Sequence, residues 1–309
     1  MPEILLRQGR IYRQMGAYNQ AIGKFYTVLS ASLNLKVDKL DYYKTLVLYA
    51  QTEIADTFAA QGKNQDAADF YQRLLRLPSP ELNKPQIQFK LIHCLAALDH
   101  QPDVVQQCEE LLRNFPDAPE VPETRYEQAM ALKRLNRTAE AMKAVLELLK
   151  SQQAVANADS ANWIYWQQRT GNELANHLYK ENDNLNALVL YQNLADISSA
   201  PNWRLPVWYQ TGLVYERLRQ PQKAIENYDR ILLAAKESDA KSNPSLSAVA
   251  DMAKWRKDYL AWYGRADRVS ADLRATPPEV LPTAPAENSP ATPATPSNPT
   301  PNKNESSPK

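Results

Sequence analysis

The sequence predicts an all-α protein: an α-solenoid of about six helix pairs, closed by a C-terminal capping helix and followed by a disordered Pro/Thr/Ser-rich tail. Three observations carry this expectation. The 309 residues include only 7 glycines, against many Ala, Leu, Gln, Lys and Glu, which lose little side-chain freedom in a helix. A frame of small and bulky positions recurs six times along the chain. Each copy is interrupted at the same place by a short polar stretch.

Anchored on Ala21, the frame has Gly9 twelve residues before, Tyr12 nine before and Phe25 four after. Ala67 brings Ala55, Phe58 and Tyr71, and Val104 brings Ile92, Leu95 and Cys108, the loosest match. Ala141 brings Ala129, Leu132 and Val145; Ala187 brings Ala175, Leu178 and Tyr191; Ala224 brings Gly212, Tyr215 and Tyr228. Such spacing fits two antiparallel helices whose backbones approach at small residues, with bulky neighbours one turn away filling the space beside the contact. In RQGRIYRQMGAYNQAIGKFY (residues 7–26), Gly9 is therefore expected to meet Ala21, with Tyr12 and Phe25 beside them and Gly16 in the turn.

The interruptions QMGAYN, AQGKNQ, ALDHQP, RLNRTA, KENDNL and RLRQPQ supply turn residues between the two helices of each unit. Second helices stop at Leu77-Pro78 and at Phe115-Pro116 because proline cannot continue a helix. Successive anchors lie 46, 37, 37, 46 and 37 residues apart, so units one and four are each followed by about nine extra residues. These fall around Lys36–Gln61 and around Ala154–Thr170, where ANWIYWQQRT carries Trp163, Tyr165 and Trp166. Helices lengthened in this way overhang their neighbours, either as extra packing or as a ledge for a partner.

From Asn243 to Arg274 one or two further helices are expected, with Met252, Trp255, Tyr259 and Trp262 as an apolar stripe that covers the last pair. From Pro277 onward the chain has ten prolines and no aromatic residue, so it can bury no core. Pro290, Pro293, Pro296 and Pro299 give a three-residue proline period suited to a spacer or to a proline-binding module. The expected divisions are residues 1–240 for the repeats, 241–275 for the capping region and 276–309 for the tail.

The unit from Leu205, LPVWYQTGLVYERLRQPQKAIENYDRILLAA, resembles the tetratricopeptide repeat, with Trp208, Gly212, Tyr215, Ala224 and Tyr228 at that family's places. The resemblance extends over roughly residues 2 to 237. It implies a right-handed superhelix whose inner groove, lined by the first helix of each pair, takes up protein or peptide segments. Carried over position by position, the groove has Leu6, Arg10 and Arg13; Thr52, Asp56 and Ala59; then Phe89, His93 and Ala96. Units four to six contribute Tyr126, Met130 and Lys133; Asn172, Asn176 and Tyr179; and Tyr209, Leu213 and Glu216. This lining is basic at its N-terminal end and richer in aromatics and amides later. The residues expected to contact a peptide are Arg10, Arg13, Asp56, Phe89, His93, Tyr126, Lys133, Asn172, Asn176, Tyr179 and Tyr209. The lysine and asparagines with which chaperone-binding members clamp a terminal carboxylate are missing, since Leu6, Arg10 and Glu53 stand in their places.

The stretch Glu110–Gln128, ELLRNFPDAPEVPETRYEQ, is similar to a phrase found in bacterial envelope repeat proteins that scaffold outer-membrane or Tol-Pal assembly. That resemblance implies a periplasmic or envelope-associated scaffold if the natural start lies upstream of Met1. As written, the N-terminus has acids and arginines in place of an export signal, and the cytoplasm is expected. A regulatory portion of a larger enzyme system is a further alternative.

Charge and chemistry narrow the function classes. With 36 basic and 35 acidic residues the net charge is +1, so no bulk field favours nucleic acid. No run of eighteen apolar residues suggests a membrane span. Cys94 and Cys108 are expected to be buried small side chains, with no histidine at ligand spacing to complete a metal site. The glycines are not followed by the Gly-Lys-Ser/Thr of a phosphate loop, and His93, His100 and His177 accompany no recognisable nucleophile motif. The expectation is a protein without catalytic residues, cofactor or metal, whose partner is a protein or peptide.

Overall fold

The computed structural model describes residues 2–31, 40–150, 160–237 and 243–275. The Pro-rich tail and the inserted stretches 32–39 and 151–159 lie outside the described residues. Among the described residues there are thirteen helices and no strand. They are α1 (Pro2–Gln14), α2 (Tyr18–Ala31), α3 (Leu40–Ala60), α4 (Asn64–Leu75), α5 (Lys84–Ala97), α6 (Gln101–Asn114) and α7 (Val121–Arg134). There follow α8 (Thr138–Lys150), α9 (Ser160–Lys180), α10 (Asn184–Ala195), α11 (Pro201–Arg217), α12 (Pro221–Glu237) and α13 (Pro244–Ala275). The chain divides into two compact units, residues 1–261 and 262–309. In the first, α1 to α12 form six consecutive hairpins; the odd-numbered helix of each is called helix A and the even-numbered one helix B.

The hairpin turn is the same in all six units and its cause is local. The residue five before each anchor takes a left-handed conformation: Gly16, Gly62, Asp99, Asn136, Asn182 and Arg219, with φ between 56° and 78°. Around it the backbone closes helix A with paired bonds, for example Gly16 N–H to the Arg13 carbonyl at 3.0 Å and Ala17 N–H to the Tyr12 carbonyl at 2.8 Å. The pattern recurs to Arg219 and Gln220, which donate to Glu216 and Tyr215. It satisfies carbonyls that a helix end otherwise leaves unpaired. Five of the six positions carry Gly, Asn or Asp, the residues that adopt this conformation most readily; Arg219 does not.

Packing within a hairpin corrects one detail of the expected contact. Gly9 has the Phe25 ring as its nearest neighbour across the hairpin, where Ala21 was expected: a β-carbon there would stand 2.4 Å from Phe25 Cε1. Gly212 lies likewise against Tyr228, at 2.5 Å. The position twelve before the anchor is thus matched in size to the one four after it. Gly faces Phe25 and Tyr228, while Ala55 and Ala175 accompany Tyr71 and Tyr191. In the loosest unit the sizes are exchanged, Ile92 with Cys108, and both are fully buried. The fourth unit has the smaller pair Ala129 and Val145, both also fully buried. Cys94 and Cys108 are free and buried, and burial pushes the Cys94 thiol up to about 11.

The longer anchor spacings lengthen helix A. Helices α3 and α9 have 21 residues, against 13 in α1 and 14 in α5 and α7. In the overhang of α9, Trp163 and Trp166 are buried while Ile164 and Tyr165 are exposed, so it serves both packing and surface. The Glu110–Gln128 phrase is a helix stop and start: α6 ends with Phe115 as its C-cap and α7 begins with Pro122 in its first turn.

The face of α13 that closes the last hairpin differs from the expected stripe. Leu246 and Ala253 are buried with Leu205, Ala224, Tyr228 and Ile231, and Val249 and Leu260 pack beside them. Met252, Trp255 and Tyr259 are 44%, 62% and 42% exposed, and the Trp255 and Tyr259 rings stack at 5.6 Å. The small residue Ala253 permits close approach, and the bulky stripe is left outside. In the second unit the described residues, 262–275, are the end of this helix, with Trp262, Tyr263, Val269 and Leu273 exposed.

Candidate functional site

The A helices line up along one face, and side chains on consecutive A helices bond to one another. Arg10 Nε on α1 donates to Glu53 Oε1 on α3 at 2.6 Å. Arg13 Nη1 lies 2.8 Å from Glu53 Oε2, too oblique for a hydrogen bond and therefore a coulombic contact, and 3.6 Å from Asp56 Oδ2. Asp56 also accepts 2.8 Å bonds from Lys90 Nζ on α5 and a 2.6 Å bond from the Tyr71 hydroxyl, which crosses from helix B. Burial, with Asp56 nearby, pushes the Tyr71 phenol well above its ordinary value. The expected basic end of the groove is therefore neutralised: each of the two arginines faces a carboxylate of the next unit. A hollow of about 380 Å³ opens beside it, lined by Asp56, Ala59, Tyr71, Lys90, His93 and Cys94 among others.

The centre of the face is built differently. His93 packs edge-on against Phe89, with centroids 4.4 Å apart, and its ring nitrogens lie 3.6 Å from Glu123 and 3.9 Å from Glu127 on α7. Tyr126 donates to Glu173 on α9 at 3.0 Å. Its ring is 5.2 Å from that of Trp166, which meets Tyr165 at 5.1 Å. The Arg169 guanidinium lies 5.0 Å from the Tyr126 centroid, 5.1 Å from Trp166 and 6.0 Å from Tyr165, and donates to the Tyr165 hydroxyl at 2.9 Å. Burial raises the pKa of Glu123, with Glu127 adding to the shift and His93 and Arg169 opposing it. Burial also raises that of Tyr126, with Glu173 as the next cause.

Toward the C-terminal end, Lys133 donates to Glu181 at 2.6 Å, and Asn176 accepts from the Tyr191 hydroxyl at 2.7 Å. Burial is the main reason the Tyr191 phenol is pushed up to about 12. Arg217 covers the Tyr179 ring at 3.5 Å and donates to the Tyr179 carbonyl. Tyr209 packs 5.9 Å from Tyr228, whose hydroxyl donates to Glu216, and Arg256 on α13 closes the row on Glu216 at 3.1 Å. Asn172 is half-buried one turn before Asn176.

All eleven expected groove residues thus lie on A helices, and most use their polar atoms on the neighbouring unit. Sequence reasoning left out their counterparts Lys90, Glu123, Glu127, Glu173, Arg169 and Arg217. One signal was present: fourteen residues before successive anchors stand Arg7, Glu53, Lys90 and Glu127, alternating in sign.

The tetratricopeptide repeat matches residues 52–85 and 205–237, the second and sixth hairpins. Among solved structures the chain is similar to the apo form of the quorum sensor NprR from B. thuringiensis, at 13% identity over 82% of this chain and 68% of that one, with a TM-score of 0.45. It is also similar to BtubC from P. vanneervenii, at 17% identity over 89% and 99%, with a TM-score of 0.45. The apo form of RapI gives 14% identity over 88% and 77%, with a TM-score of 0.43. No curated protein sequence matches the chain. Among the described residues no helix is long and apolar enough to cross a membrane.

Proposed function

We propose that this chain, which is built of tetratricopeptide repeats, is a non-catalytic scaffold or adaptor that binds a protein or peptide segment along its A-helix groove. The observation that supports this most directly is continuity: Arg10–Glu53, Asp56–Lys90, His93–Glu123, Tyr126–Glu173, Tyr179–Arg217 and Glu216–Arg256 join each A helix to the next and on to α13. A surface prearranged in this way binds with less ordering cost than a loose one. Half-buried Phe89, Tyr126, Tyr179 and Tyr209 along it offer the aromatic anchors that carry much of the energy in protein interfaces.

A second place for a partner is a hollow of about 850 Å³ between helices B, lined by Met142, Lys143, Leu146, Glu147, Asp183 and Val189 among others. Display of a random dodecapeptide library on the full chain separates the two. Enriched peptides are expected to crosslink to α5, α7 or α9 and to lose binding in Tyr126→Ala, while Met142→Ala binds normally. Enrichment that depends on Met142 and not on Tyr126, or no enrichment at all, would overturn the groove assignment.

A further inference from the structure

We propose that the centre of the groove is a socket for an arginine side chain of an extended basic segment in the partner, and that the chain's own Arg169 occupies it when no partner is bound. This rests on the groove being the binding face.

Two independent features meet there. Three aromatic rings, from Tyr126, Tyr165 and Trp166, converge on one guanidinium at 5.0 to 6.0 Å. This is the arrangement by which aromatic faces hold a planar cation, and guanidinium stacks on such rings better than a compact ammonium does. Around it, Glu123, Glu127 and Glu173 supply three carboxylates against the single Arg169. At the N-terminal end Glu53 and Asp56 each have an arginine or lysine within 2.8 Å. At the centre, Glu123 and Glu127 have only His93 within 4 Å, charged only when protonated, and Glu173 has the Tyr126 hydroxyl. Among the described residues, Arg169 forms no ion pair within 4 Å and its side chain is exposed, so it holds the rings and acts on Glu123 only from beyond ion-pair distance. The socket is thus short of positive charge although it already holds a cation. A partner's arginine fits both needs, stacking in place of Arg169 while its neighbouring basic residues meet the carboxylates that lack a lysine or arginine.

The probe is a panel of fluorescein-labelled decapeptides in which alanine alternates with Arg, Lys, Gln or Glu, titrated into the full chain at low salt and followed by anisotropy. The arginine peptide is expected to bind about tenfold tighter than the glutamine peptide and several-fold tighter than the lysine peptide, the glutamate peptide weakest of all. Glu123→Gln with Glu173→Gln should weaken it about tenfold, and Tyr126→Phe, which keeps the ring, only slightly. Arg169→Gln is the decisive variant, because emptying the socket should strengthen arginine binding, whereas a merely structural Arg169 would make its loss weaken it. Glu109→Gln, on helix B, should leave affinity unchanged. Far-UV circular dichroism and melts establish that each variant folds. If glutamine and arginine peptides bind the groove equally, or Arg169→Gln weakens binding, the socket is overturned while the groove assignment stands. If no peptide of any class enters the groove, both are overturned.

Discussion

The N-terminal and central stretches of the groove use the same frame positions for opposite ends. In the first, Arg10, Glu53, Arg13, Asp56 and Lys90 form an unbroken chain of contacts from 2.6 to 3.6 Å, each charge answered by the next unit. In the second, Glu127 and Glu173 stand at the frame position of Glu53, with Glu123 one turn before Glu127, but these acids face an imidazole and a phenol. Whether an acid on an A helix is paired with a lysine or arginine therefore depends on what the neighbouring unit presents. That difference cannot be assigned one repeat at a time.

Breaking one carboxylate in each stretch tests this most strongly. Glu53 has a side chain only 10% exposed, so Glu53→Ala takes from Arg10 its carboxylate and leaves the half-buried Arg13 only Asp56 at 3.6 Å. A loss of about 1 to 3 kcal/mol is expected, most of it the penalty of leaving those groups unanswered. Glu173→Ala removes one hydrogen bond from Tyr126 and should cost under about 1 kcal/mol. Urea melts of the two variants give the comparison directly; equal losses would mean that the central acids are staples as well.

The same contrast marks what could be seen in the sequence. Fold and turns were legible because they depend on residues within one hairpin: a small position, its bulky counterpart sixteen later, and Gly, Asn or Asp at the turn. The residues carried over from the tetratricopeptide resemblance as lining a groove do lie on A helices. Pairings between units were not legible, because Glu53 meets Arg10 across 43 residues and the register that joins them is set by packing. The capping helix shows the limit in another form. Its aromatic periodicity was correct, but periodicity cannot say which of two apolar faces turns inward, and the small one, with Ala253, did.

A glycine pair in the first unit sharpens the picture of that end as structural. Gly9→Ala sets a β-carbon into the Phe25 ring and should cost about 1 to 3 kcal/mol through overpacking. Gly23→Ala, on the open side of α2 with nothing within 4 Å, should instead stabilise by about 0.5 to 1 kcal/mol. Thermal melts of both resolve the opposite signs. Two losses would place α2 in a different rotation about its axis.

The smallest expected effect lies in the pH dependence of the centre. Because burial raises the Glu123 pKa in the folded protein, the folded state keeps a proton that the unfolded chain has already released at the same pH. The unfolded state then binds fewer protons, so this group's contribution to stability falls as pH rises through the interval between its ordinary and its raised value. Glu123→Gln removes that liability. Above the interval the variant should be the more stable, by on the order of 0.5 kcal/mol. The advantage should vanish as pH drops below the ordinary carboxylate range, where wild type is protonated in both states. Asp56→Asn is the matching change in the staple, and it should lose stability at neutral pH, because the acceptor of both Lys90 and Tyr71 is weakened. Urea melts across acid and neutral pH decide between one electrostatic design and two. If the two variants shift in the same direction, the centre is paired as fully as the N-terminal end, and the case for a cation arriving from a partner loses its electrostatic half.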